Sequence, residues 1–302
     1  MPTTRVLDST MFHRETGAGA PMVFLHGNPT SSYLWRHVLP AVGEPGRLLA
    51  PDLIGMGESG KPPLAYTFDD HARYLDAWFD ALGLDQVVLV GHDWGGALAF
   101  DFAARHPGRV RGLAFTETIV KTMAWQEFPA GGQELFRALK TPGLGEQLVL
   151  DDNSFLRDSL PASTMTALAA ADLEAYLRPY PTPETRRPLL RWARSMPLGG
   201  EPAEVVARVD RYVAWLAASA EVPKLLVTFE PGPGAMLGPR LHEWCAETYA
   251  SLEVAHHPVP AGHHTPEDQP AALAASLTSW ADAHVLRRIR PGAARPRAPQ
   301  AG

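Results

Sequence analysis

A short run in the middle of the chain constrains the fold more than any other feature. The apolar stretch Gln86-Val87-Val88-Leu89-Val90 runs into Gly91-His92-Asp93-Trp94-Gly95-Gly96, and the helix-like Ala97-Leu98-Ala99-Phe100-Asp101-Phe102-Ala103-Ala104-Arg105 follows. A buried strand, a glycine-flanked turn and a helix in succession match the Gly-x-Ser-x-Gly pattern, with Asp93 where serine is expected. The small flanking residues let the backbone take a strained turn and let helix and strand approach closely. An aspartate at a helix start also suits a simple N-cap. The glycines and the strand that accompany Asp93 favour the chemical reading. A serine needs a base before it can attack an acyl carbon. A carboxylate is ionised at neutral pH and can displace a leaving group from a saturated carbon, giving a covalent ester.

Around this turn, apolar runs alternate with helical stretches. Met22-Val23-Phe24-Leu25 ends at Gly27-Asn28-Pro29, Arg47 to Leu53 ends at Gly55-Met56-Gly57, and Phe68 to Leu82 reads as a helix. Val110 to Phe115, Lys224 to Phe229 and Leu252 to Ala255 are further strands, Pro270 to Val285 is a closing helix, and Thr10 to Glu15 suits an antiparallel edge strand. Such alternation predicts an α/β fold with a mostly parallel central sheet and helices on both faces. From about Val120 to Ala220 the alternation stops, and a proline-punctuated stretch rich in large apolar groups predicts an inserted helical cap. The expected division is core 1–119, cap 120–220, core 221–288 and a basic, disordered tail 289–302. A cap so placed would roof the C-terminal ends of the strands, where open α/β sheets bind ligands.

Composition narrows the setting. The chain has 302 residues with ordinary apolar content (45%), which allows one large domain or a domain with an insertion. Its net charge of -6 argues against nucleic acid or an anionic membrane as partner. Cys245, the only cysteine, excludes an internal disulfide and fits a cytoplasmic location. The start has no apolar signal core, and no uncharged apolar run is long enough to span a bilayer. A monomer or weak homo-oligomer is expected.

An ester on Asp93 needs a base to activate water. Pro260-Ala261-Gly262-His263-His264-Thr265-Pro266-Glu267-Asp268, in the loop after the last strand, supplies two candidates, and His263 is preferred over His264. The order of nucleophile, then histidine, is that of the α/β-hydrolase fold. With His256 and His257 the region could pass for a metal cluster, but it lacks ligand spacing and cysteine support, so neither metal nor organic cofactor is expected. The imidazole needs an orienting acid. Glu117 and Glu230 both stand at strand ends, and spacing does not choose between them. Asn28, in the loop that supplies an oxyanion-hole N–H in this fold, adds an amide donor, and Trp94 adds an indole N–H. Two neutral donors beside a carboxylate suit a leaving group that departs as an anion.

His26-Gly27-Asn28-Pro29-Thr30-Ser31-Ser32-Tyr33-Leu34-Trp35-Arg36 and Gly91-His92-Asp93-Trp94-Gly95 closely resemble the haloalkane dehalogenases. The likeness includes Asp52-Leu53-Ile54-Gly55-Met56-Gly57-Glu58-Ser59, Leu148 to Phe155, Glu184-Thr185-Arg186-Arg187-Pro188, Glu230-Pro231-Gly232 and Glu267-Asp268. The resemblance implies Glu117 as the acid, Asn28 and Trp94 as a halide-binding pair, and Phe128, Phe136 and Phe155 around the substrate. Met236, in the core loop after the Lys224 to Phe229 strand, is a further substrate-binding candidate. It also implies small apolar halogenated substrates, halide and water as the partners. The chain departs from the family's Gly-x-His-Phe before Glu-Asp, and from its cap Trp-Pro-Arg, which here reads Trp192-Ala193-Arg194. Three other functions use related scaffolds. An epoxide hydrolase would need cap tyrosines, for which Tyr176, Tyr180 and Tyr212 are available. A coelenterazine-type luciferase would share the Asp, His and Glu. A receptor-like binding module would not require all three.

Overall fold

The computed structural model describes residues 2–288, so the expected tail 289–302 lies outside the described residues. Eight strands form one sheet in the order β1-β2-β4-β3-β5-β6-β7-β8. They are β1 (Thr3–Val6), β2 (Ser9–Ala18), β3 (Pro21–Leu25), β4 (Gly46–Pro51), β5 (Val87–Asp93), β6 (Val110–Thr118), β7 (Lys224–Pro231) and β8 (Leu252–Ala261). From β4 to β8 all neighbours are parallel, while β2 pairs antiparallel with both β1 and β4. The segment around Thr10 to Glu15 is antiparallel as expected, but it is not the edge, because β1 flanks it. Thr3–Val6 is not legible in the sequence, because four residues, three of them polar, carry no alternation. The mostly apolar runs of β5 and β6 follow from burial on both faces, and every residue in both is buried.

On one face, Trp35, in the turn Ser32–Trp35, packs with Val38 of α1 (Val38–Val42) and Leu277 and Trp280 of α9 (Pro270–Ala283) against Met22, Phe24 and Val90. On the other lie α2 (Phe68–Ala81) and α3 (Trp94–Arg105). Thr67 and Asp70 start α2 with a reciprocal capping box, at 3.0 and 3.1 Å. Between β6 and β7 the chain forms α4 (Ala130–Lys140), α5 (Ala170–Leu177), α6 (Arg187–Ser195) and α7 (Ala203–Ala218), and α8 (Pro239–Thr248) follows β7. Two π-type turns, Gln147–Asp151 and Phe155–Ser159, lie among the inserted helices. Among the described residues the only β pairing in that insertion is isolated bridges at Leu198. One apolar cluster runs from the sheet through α2 and α3 into the insertion, joining Leu25, Trp78 and Phe100 to Phe128, Leu156 and Trp192. The inserted helices are therefore fastened by a continuous core. No helix among the described residues is long and apolar enough to cross a membrane.

Candidate active site

The site is built at the C-terminal ends of β3, β5, β6 and β8. Asp93 ends β5 with φ 50° and ψ −128°, and α3 starts at the next residue. A side chain at Gly95 would collide with the carbonyls of Leu25 and His26, which explains why the turn needs glycine there. The backbone is held in this uncommon conformation by Thr118, whose hydroxyl donates to the Asp93 carbonyl at 2.6 Å. The carboxylate points into the mouth of the fold. The Asn28 backbone N–H donates to its Oδ2 at 2.7 Å, and the Trp94 backbone N–H favours its ionised form. On the Oδ1 side, His263 Nε2 lies 3.9 Å away.

His263 sits between two acids. Its Nδ1 lies 3.2 Å from Glu117 Oε2. A carboxylate only accepts, so Nδ1 carries the proton and Nε2 faces Asp93 with a free lone pair in the neutral ring. Glu117, at positive φ near the end of β6, is buried and itself accepts from the backbone N–H groups of Met236 (2.6 Å) and Leu237 (3.1 Å). Glu230 is exposed and lies 3.3 Å from His256 instead, so the structure brings Glu117, not Glu230, to the imidazole. His264 is buried without a partner for Nδ1 and touches neither acid. His256 and His257 bond to Thr228 and Ser276, away from the site.

These contacts tune the charges. Burial acts to lower the pKa of His263, but the hydrogen bond to Glu117 and the charges of Asp93 and Glu117 outweigh it and raise the pKa above its usual value. Burial raises the Asp93 pKa, against the opposing pull of the His263 charge and the Asn28 and Trp94 N–H groups. His92 and His264 are pushed well down, first by burial and then by the neighbouring His263 charge.

A cavity of about 430 Å³ opens over Asp93, within the ~300–1,000 Å³ range of small-ligand pockets. Asn28, Asp93, Trp94, Phe128, Phe136, Phe155, Met236 and His263 all line it; Glu117 stands behind His263 and does not. Sequence reasoning missed Ser159, Leu160 and Ser163, which also line the cavity, because they lie in the aperiodic part of the insertion. Trp125 and Leu156 do not line it: Arg137 covers the Trp125 ring at 4.3 Å, and Leu156 is core. One helix, α6, steadies both candidate halide donors. The Leu189 carbonyl accepts from Asn28 Nδ2 at 3.1 Å, and the Trp192 ring stacks on Trp94 at 4.4 Å. Ala193, where the family often has proline, forms part of the wall. No tyrosine lines the cavity among the described residues. The Tyr176 hydroxyl bonds to Glu267, the Tyr180 hydroxyl accepts from Gly57 N–H and the Tyr212 hydroxyl donates to the Ile119 carbonyl, so none can protonate an epoxide there.

This architecture and its nucleophile turn define an α/β hydrolase, and the sequence model of the alpha/beta hydrolase fold matches residues 20–200. The chain is 46% identical over 284 residues to a haloalkane dehalogenase of Mesorhizobium japonicum, covering 93% of this chain and 91% of that protein. It is 42% identical over 287 residues to a haloalkane dehalogenase of Sphingobium indicum, covering 93% of each. The crystal structure of haloalkane dehalogenase DbeA from Bradyrhizobium elkani superposes with a TM-score of 0.89 at 44% identity, over 94% of this chain and 98% of that one. The chain belongs to the haloalkane dehalogenase family.

Proposed function

We propose that this chain hydrolyses haloalkanes to alcohol, halide and a proton through an alkyl ester on Asp93. The observation that carries the reading is a buried carboxylate held by the Asn28 backbone N–H, with a glutamate-held imidazole 3.9 Å from its other oxygen. Asp93 attacks the halogen-bearing carbon from the cavity. The leaving halide is met by the Trp94 indole N–H and by the Asn28 amide, which donates one N–H to Leu189 and keeps a second. Neutral His263 then takes a proton from water, which attacks the ester carbonyl, and the Asn28 and Trp94 backbone N–H groups hold the oxyanion. The proposed site needs no metal or organic cofactor. The reading extends to a cytoplasmic monomer or weak homo-oligomer, and the net charge of -6 disfavours nucleic acid or an anionic membrane as partner.

The deciding experiment measures halide release from matched 1-chloro-, 1-bromo- and 1-iodobutane beside chloroacetate and an epoxide, after exhaustive chelation. Phe128, Phe136, Phe155 and Met236 offer no charge to pair with a carboxylate substrate, and burying one unpaired is costly. Bromide and iodide also leave more readily than chloride. We therefore expect the bromo- and iodobutanes to turn over best, with no epoxide opening. A higher specificity constant for chloroacetate than for 1-bromobutane, or activity that returns only with added metal, would overturn the reading.

The acid can be tested apart. Glu117→Gln keeps one acceptor oxygen, enough for only one of the Met236 and Leu237 N–H groups, and removes the charge that holds the imidazole. Turnover should fall by roughly two or more powers of ten, as loss of an orienting carboxylate does in hydrolase triads. Glu230→Gln, at an exposed position, should be nearly neutral. The opposite pattern would move the acid to β7.

The pH dependence should differ between the two half-reactions. Alkylation needs ionised Asp93 and no base, whereas ester hydrolysis needs neutral His263. Protonated His263 becomes more abundant as pH falls, and its raised pKa places that loss above the usual imidazole range in the free enzyme. Esterification removes the Asp93 charge, one of the causes of the rise, so hydrolysis should titrate at lower pH than the free-enzyme imidazole. Rapid-quench measurements should show ester accumulating in mild acid while alkylation persists. Parallel decline of both half-reactions would contradict this.

A further inference from the structure

Three loops meet behind His263: the cap segment from Ser163 to Thr166, the Gly232 to Leu237 loop after β7, and the Gly262 to His264 loop after β8. The second loop already holds both members of the base–acid pair. Its Pro233 carbonyl accepts the His263 N–H at 2.9 Å, and its Met236 and Leu237 N–H groups grip Glu117. The cap segment is joined to the base loop by one side chain, Asp268, which ends the short turn Thr265–Asp268.

The Asp268 carboxylate is filled by backbone donors from both sides. Oδ1 accepts from Met165 (2.9 Å) and Thr166 (2.8 Å). Oδ2 accepts from Met165 (3.0 Å) and from Gly262 (2.7 Å), the residue before His263. Hydrogen bonds to an ionised acceptor are roughly twice as strong as neutral ones. The loops also touch directly. The His264 N–H points at the Ser163 carbonyl at 3.4 Å, and a Cβ on Gly262 would collide with that same carbonyl.

We propose that Asp268 is a positioning residue for ester hydrolysis, tying the Ser163 to Thr166 segment of the cap to the loop that carries the base. The inference rests on the dehalogenase reading. Its selectivity follows from which groups each half-reaction uses. Alkylation uses Asp93, Asn28 and Trp94, which are held by β5, α3 and α6 and make no contact with Asp268. Hydrolysis uses His263, one residue from Gly262. Loosening the junction therefore misplaces the base and leaves the nucleophile alone.

The test compares Asp268→Asn and Gly262→Ala with Arg208→Gln. Arg208 joins α7 to the buried Asp101 of α3 at 2.9 Å and touches neither loop, so it reports a purely structural loss of cap docking. The Asp268→Asn change keeps the side-chain volume but replaces one acceptor oxygen with a donor. With 1-bromobutane in a rapid-quench experiment, both junction variants should release the first halide within roughly threefold of the wild-type rate, while ester hydrolysis slows at least about tenfold. Intact-mass measurement should show the butyl adduct accumulating. Arg208→Gln should lower the melting temperature without accumulating ester. Wild-type hydrolysis rates in folded Asp268→Asn would overturn the proposal, as would parallel slowing of both half-reactions in all three variants. Absence of both halide and adduct in the wild-type protein would instead sink the dehalogenase reading beneath it.

Discussion

His263→Phe is expected to stop turnover while leaving the first chemical step running. Asp93 needs no base to attack a saturated carbon, so the variant should release about one equivalent of halide per protein and then stall as the ester. Turnover should fall by at least about a thousandfold, the scale seen when a triad member is removed. Electrospray mass spectrometry after incubation with 1-bromobutane should show one butyl adduct, and proteolysis should place it on Asp93. His264→Phe should keep turning over, because His264 touches neither Asp93 nor Glu117. Normal turnover in His263→Phe, or an inactive His264→Phe that accumulates ester, would move the base one residue along.

That one-residue ambiguity shows where the sequence is informative and where it is not. The candidates Asp93 and Trp94 are legible because their signal is local: a strand, a turn needing small residues and a helix occupy consecutive positions. Asn28 is legible from its own strand and the Gly27-Asn28-Pro29 turn. His263 and His264 are adjacent, so only the path of the loop decides which ring faces the nucleophile. Here the His263 N–H is fixed to Pro233, a residue thirty positions earlier and on another strand's loop. Glu117 and Glu230 posed the same difficulty at longer range, since both close parallel strands that are neighbours in the sheet. The choice rests on side-chain direction. Glu117 adopts a positive φ and turns inward, while Glu230, beside the edge strand β8, faces solvent. The sheet was readable from buried runs and the inserted helices from their absence. The cavity wall was readable only in its aromatic members, since Phe155–Ser159 is a π-type turn whose spacing matches neither helical nor strand periodicity.

Acid should destabilise this protein through histidines that the reaction does not use. His71 is 1% exposed, and neither ring nitrogen has a partner. It stacks at 4.3 Å on Trp192, which in turn stacks on Trp94. Burial, helped by the charge of His26, lowers its pKa to about 3. The unfolded chain, with an ordinary imidazole, binds a proton near pH 6.5 that the folded one refuses. Stability from this group is therefore complete above that pH and is lost as pH falls towards 3. At about pH 4.5 the loss from His71 alone is roughly 2–3 kcal/mol, at about 1.4 kcal/mol per pH unit. His26, His92 and His264 are shifted in the same direction by burial and add to it. His263, shifted upward, acts in the opposite sense. Urea unfolding at neutral pH and at about pH 4.5, for the wild type and for His71→Leu, isolates the contribution. The packing cost of the substitution and the titration of every other group cancel in the difference of differences. The variant should lose roughly 2–3 kcal/mol less on acidification than the wild type. An equal loss in both proteins would mean that His71 is solvated or partnered in the folded state. Its burial would then no longer account for the acid sensitivity.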